Sequence, residues 1–173
     1  MTADAASLPY RPCVGAMILN PAGMIWIGRR FDQSGVAGGR GQFWQMPQGG
    51  VDVGEDVGAA VRREVQEETG LTSIDILAQL PGTHLYDLPP ALLQQKIWGG
   101  KYRGQRQTWF ALRFTGADAE VNIAPSSGPA PEFDAWRWAH PSELLDLIVP
   151  FKRNVYRAVL EDSAQLGILV AKF

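Results

Sequence analysis

The chain has 173 residues, 46% hydrophobic and 20% charged, with a formal net charge of -2 at pH 7. That length and mixture suit one globular domain with a sizeable core, and the near-neutral charge excludes a generally basic nucleic-acid binder, so RNA contact has to come from a local patch. No apolar run reaches the roughly 18 residues a membrane span requires, MTADAASLPY carries neither region of a secretion signal, and the lone Cys13 excludes an internal disulfide, so the expected location is the cytoplasm.

Residues 1–9 read as a flexible leader, 10–165 as a single domain and 166–173 as a C-terminal tail. The apolar runs 13–19 and 24–28, separated by Asn20-Pro21-Ala22-Gly23, predict a hairpin in which Cys13 is a small buried side chain. Residues 31–42 form a glycine-rich loop; Gly35, Gly38, Gly39 and Gly41 suit either a lid over phosphates or a linker. Residues 43–46 read as a short aromatic strand that delivers the chain to Pro47-Gln48-Gly49-Gly50. A helix over 56–69 follows, with Glu55 and Asp56 in its first turn and Gly70 as its stop.

Further strands are expected at 74–80 and 107–114, with Tyr86-Asp87-Leu88-Pro89-Pro90 introducing a helical excursion over 91–97. A loop at 125–131 precedes a strand at 135–139, where Trp136 and Trp138 alternate against Arg137. Pro141 opens a short helix, and Val155, Tyr156, Val159 and Leu160 recur at the spacing of an amphipathic C-terminal helix. This mixture suits a layered α/β domain.

The chemistry concentrates in residues 49–71. On a helix, Glu64, Glu67 and Glu68 stand at i, i+3 and i+4 and share one face. Three carboxylates so placed repel one another, and an oxygen-only cluster suits a hard divalent cation such as Mg²⁺ or Mn²⁺. Val57, Val61 and Val65 form a stripe beside that face while Arg62 and Gln66 point away, which puts the carboxylates at the border of the core, on a cleft. A solvated acidic helix would also carry three glutamates; the register of Gly49, Glu55, Arg63 and Gly70 with them argues otherwise.

That register matches the Nudix box, G-x5-E-x7-R-E-U-x-E-E-x-G-U, with Val65 and Leu71 at the bulky aliphatic positions U, and the chain resembles the Nudix hydrolases. The resemblance implies an α-β-α sandwich around a mixed β-sheet and cleavage of nucleoside diphosphates linked to a further group. It implies that Glu64, Glu67 and Glu68 bind one or more metals, that the Gly49 carbonyl adds an oxygen, and that Arg63 with Glu55 braces the loop through an ion pair. The resemblance also implies that one glutamate acts as general base, and Glu68 is favoured.

Patches outside the box narrow the resemblance. Tyr10-Arg11-Pro12, Arg29-Arg30-Phe31, Phe43 to Gly50, Gly104 to Phe110, Glu132 to Trp138 and Phe151 to Arg157 look like the RNA pyrophosphohydrolases of bacteria and the similar diadenosine tetraphosphate hydrolases, over residues 10 to 160. By that resemblance Arg11, Arg30 and Lys152 hold phosphates, Arg30 and Phe151 flank a base, Tyr86 joins the substrate set, and Glu132 supplies a carboxylate to a second metal. The implied partner is a nucleoside polyphosphate or the 5′ end of RNA, taken up by a monomer. Residues 32–42 and 126–131 are expansions where substrate would enter, while Tyr86 to Pro90 and Trp98 to Arg103 look more like the plant-type dinucleotide enzyme. Hydrolysis of another nucleotide, and a non-catalytic binding module, remain open alternatives.

Overall fold

A computed structural model describes residues 7–30 and 43–170. The glycine-rich loop at 31–42, most of the leader and the end of the tail lie outside the described residues.

The organising element is β1 (Tyr10–Leu19), buried from Cys13 to Leu19. A strand this apolar sits inside a sheet covered on both faces. It runs parallel to β7 (Gly104–Phe114), from Tyr10↔Gly104 to Leu19↔Arg113, and its start pairs antiparallel with β4 (Gln48–Gly50) at Cys13↔Gly50. With both edges of β1 occupied in this way, the expected hairpin reduces to a corner. β2 (Ile25–Arg30) pairs with β1 only at Leu19↔Ile25, where Asn20 Oδ1 accepts from the Ala22 and Met24 amides. Beyond the corner β2 leaves to pair with β8 (Phe133–Ala139) and with β3 (Trp44–Gln45).

Two strands have no counterpart in the sequence reading. β4 is three residues with two glycines, and β6 (His84–Asp87) pairs with the first half of β7 while β5 (Ile74–Gln79) pairs with its second half. Side-chain alternation in β1 sends Met17 and Leu19 to one face and Val14, Ala16 and Ile18 to the other. The first face packs on α3 (Leu144–Leu147) and on α4 (Arg153–Gln165) through Val155, Tyr156, Val159 and Leu160. The second packs on α1 (Val57–Thr69) through Ala60, Val61 and Val65, so helices cover both faces of a mixed sheet. Among the described residues no helix is long and apolar enough to cross a membrane.

α1 begins one residue later than expected. Asp56 is its N-cap, accepting from the Ala59 amide at 3.0 Å, and Glu55 lies ahead of the helix, so its first turn holds no acid. An N-cap carboxylate satisfies an amide that the helix leaves orphaned. Gly70 stops the helix in left-handed backbone at φ 78, its amide donating to the Gln66 carbonyl. The excursion is shorter than read: α2 (Pro90–Gln94) gives way to a tight turn at Ile97–Gly100.

Candidate active site

The site starts where β4 hands the chain to α1. Glu68 is only 8% exposed, and its Oε2 accepts the Gln48 amide at 3.1 Å. Burial drives its carboxyl well above the ordinary carboxylate range; Glu132 and Glu64 push the same way, against the Gln48 amide and Arg30. Glu64 is raised as well, by burial, with Arg63 opposing. A Cβ at Gly49 would run into the Glu64 carboxylate, so only glycine lets the β4 backbone approach it.

Arg63 ties this wall together. Its Nε and Nη2 each donate to Glu55 at 2.8 Å, Nη2 also reaches the Gly50 carbonyl at 2.9 Å, and Nη1 reaches Glu64 at 2.8 Å and Glu67 at 3.4 Å. The fork holds the Glu55 carboxyl down at about 2 and locks the loop ahead of α1 to the helix. Among the described residues no three Asp, Glu, His or Cys side chains close on a common point, so the carboxylates form a wall and not a finished cage. The wall nonetheless fits a hard divalent cation. Its donors are all oxygen, and a dication relieves both the burial of the Glu68 charge and the repulsion that Glu132 and Glu64 add to it.

A second wall carries the opposite sign. Lys152 is 6% exposed, with Nζ donating to Gln45 Oε1 at 3.4 Å and lying 5.4 Å from the Tyr86 ring centroid. Burial first, and Arg30 next, bring its ammonium down to about 7, with Cys13, Glu68 and Glu132 opposing. The Tyr86 and Phe151 rings lie 5.6 Å apart at 50°, and burial raises the Tyr86 hydroxyl, which hydrogen-bonds Gln48. Arg30 bridges the walls, 3.7 Å from Glu132; among the described residues it makes no ring contact with Phe151, whose aromatic neighbour is Tyr86. Arg11 stands at the β4 end, where a Cβ at Gly50 would collide with its guanidinium.

The structure thus brings Gly49, Arg63, Glu64, Glu67 and Glu68 together, places Lys152, Arg30 and Glu132 within electrostatic reach of Glu68, and joins Tyr86 to the same wall through Gln48. Sequence reasoning missed a buried amide network behind β4. Gln107 Nε2 donates to Gln48 Oε1 at 2.8 Å and to Gln105 Oε1 at 2.7 Å, and Trp109 Nε1 donates to Gln107 at 3.0 Å. Its signal was the alternation Gln105, Gln107, Trp109, which puts two amides on the inward face of a strand.

The NUDIX domain family matches residues 9–159 of the chain. An RNA pyrophosphohydrolase of Novosphingobium aromaticivorans is 51% identical over 164 residues, 93% of this chain and 96% of that protein. One from Brucella abortus is 52% identical over 166 residues, 95% of this chain and 93% of that protein. Among solved structures, a Caenorhabditis elegans Ap4A hydrolase in a binary complex superposes with a TM-score of 0.62 at 19% identity, covering 90% of this chain and 98% of that one. A MutT protein from Methanosarcina mazei gives a TM-score of 0.62 at 22% identity, covering 90% and 96%. These two likenesses concern the fold.

Proposed function

The chain belongs to the Nudix hydrolase family, and from that membership we propose that it removes pyrophosphate from 5′-triphosphorylated RNA and splits dinucleoside polyphosphates at the same site. One observation carries the reading: Arg30 lies 3.7 Å from Glu132 beside the buried Glu68, and the buried Lys152 stands within electrostatic reach of all three. A polyphosphate and its cations are the ligands that satisfy both walls at once. The near-full-length relatives named RNA pyrophosphohydrolase support the substrate class.

Glu64, Glu67 and Glu68, with the Gly49 carbonyl and Glu132, would hold Mg²⁺ or Mn²⁺. Such an ion, when bound, neutralises polyphosphate charge and lowers the pKa of the attacking water. Arg11 and Arg30 hold phosphate oxygens through their guanidinium forks, and Lys152 adds a point charge. Phe151 and Tyr86 offer an aromatic edge to the first base. The Glu68 carboxylate takes the proton of the water as the water oxygen bonds to phosphorus and the anhydride P–O bond breaks. Pyrophosphate leaves from RNA, and diadenosine tetraphosphate divides into ATP and AMP. Arg63 and Glu55 keep the loop in register. The unit at work is residues 10–165, a monomer in the cytoplasm.

The test is a parallel assay of 5′-triphosphorylated RNA and diadenosine tetraphosphate with product identification. Pyrophosphate from the first and ATP with AMP from the second are expected. Turnover of nucleotide sugars or oxidised nucleotides with neither of these would overturn the reading.

A further inference from the structure

We infer that Trp98 is a positioning residue for the phosphate-holding Arg11, its indole fixing the guanidinium without using its N–H donors; the inference rests on the proposed role of Arg11. The Arg11 guanidinium lies 5.4 Å from the Trp98 ring centroid. Among the described residues it takes part in no ion pair or side-chain hydrogen bond, whereas the other arginines that lie over a ring each also grip a carboxylate. Arg29 lies over Trp44 and holds Asp134 at 2.7 Å; Arg137 lies over the same ring and holds Glu143 at 3.0 Å. Arg103 lies over Tyr10 and holds Asp87 at 2.9 Å. Among the described residues Arg11 alone of these four has the ring without the acid.

The backbone bearing Trp98 points the same way. Lys96 at φ 50, Trp98 at φ 52, and Gly99 and Gly100 at φ 69 put four of five residues in left-handed conformation. Glycine enters that region freely; a bulky aromatic residue is held there only by surrounding contacts, and such sites cluster at ligand clamps. The turn is anchored beside β1: Leu88 donates to the Arg103 carbonyl at 2.8 Å and Arg103 to the Pro9 carbonyl at 3.0 Å, two residues before Arg11. On its other flank Arg11 lies against Gly50, where any side chain would displace it. A π face attracts a guanidinium without occupying its donors. The Trp98 ring and the close Gly50 backbone restrain the fork, and among the described residues no hydrogen bond occupies its N–H groups, which suits phosphate.

The competing account is that Trp98 merely packs, since it touches the α4-side core together with Leu92, Leu93 and Ile97. A double-mutant cycle on the full chain with Mg²⁺ and triphosphorylated RNA separates the two. Trp98→Leu is expected to raise KM about three- to tenfold, more than it lowers kcat, from the loss of one cation–π contact. Trp98→Phe keeps a face and should restore most of the affinity. Arg11→Ala should raise KM further, and adding Trp98→Leu to it should change nothing more. Trp44→Leu, whose arginines keep their acids, should leave KM where it is. Losses that add in the double variant, or a silent Trp98→Leu beside a damaging Arg11→Ala, overturn the inference alone. A silent Arg11→Ala overturns the phosphate role on which it rests. If the leucine variant melts early, Trp98→Met carries the same comparison.

Discussion

On the acid wall of the site Glu68 is buried among carboxylates; on the basic wall Lys152 is buried beside a guanidinium. Each is an ionisable side chain under 10% exposed, and each is pushed toward its neutral form by burial first and by like charge second. The remedies are opposite. A cation relieves the first wall and an anion the second, so a metal–polyphosphate pair satisfies together what neither charge satisfies alone. Arg63 stands outside this frustration. Its fork is matched by Glu55, Glu64 and the Gly50 carbonyl, which is the pattern of a structural brace. The contrast separates groups that hold the fold from groups that wait for a ligand.

The sharpest way to break the comparison is to neutralise the acid wall. Glu67→Gln or Glu68→Gln should cut turnover by about a hundredfold or more. Glu68→Gln should leave the melting temperature equal or higher, because the amide oxygen still accepts from Gln48 while the penalised charge is gone. Near-wild-type rates in Mg²⁺ or Mn²⁺ would remove these residues from the chemistry.

On the opposite wall, Arg30→Ala and Phe151→Ala should damage use of RNA ends more than use of a mononucleoside triphosphate. Loss of one stacked base corresponds to about 1–3 kcal/mol, on the order of tenfold to a hundredfold in kcat/KM. Equal losses on both substrates would argue against base contact there.

Cation relief reads out thermally. Millimolar Mg²⁺ or Mn²⁺ should raise the melting temperature of the wild type by several degrees, taking about 2–4 °C per kcal/mol for a chain of this size. The rise should vanish in Glu67→Gln, and a melting temperature indifferent to both ions would count against an ordered site.

The last effect is the pH dependence of Lys152. Its folded value of about 7 lies below the ordinary 10.5, so between those values the unfolded chain binds the extra proton and stability rises with pH. The penalty is fully present below about pH 7 and fades toward 10.5. Lys152→Met should therefore stabilise most at pH 6 and least near pH 10, as melting curves of variant and wild type at both values would register. Stabilisation of equal size at both would mean that Lys152 is not desolvated.

Much of this site was legible in the chain itself because it is local. A 3.6-residue period is enough to put Glu64, Glu67 and Glu68 on one face beside Val61 and Val65, and Gly70 does stop the helix by taking left-handed backbone. The hairpin reading held at its turn and failed in its extent, at the other extreme of range. Whether 13–19 turns back on 24–28 depends on which strands compete for the edges of β1, and the winners, β4 and β7, lie about thirty and ninety residues away. β4 and β6 were invisible for a related reason: they are short, and their pairing comes from neighbours and not from their own composition.

By itself the sequence determined the reaction class, since the spacing of carboxylates, valines and capping residues along one helix is a property of adjacent residues. Tertiary structure alone decided how deeply each charge is buried and what faces it. Lys152 meets Gln45 across 107 positions of chain, Glu68 meets the Gln48 amide across 20, and the Arg11 guanidinium meets the Trp98 ring. Burial and partnership set the protonation and freedom of those groups, and both are settled by packing between segments that no local pattern brings together.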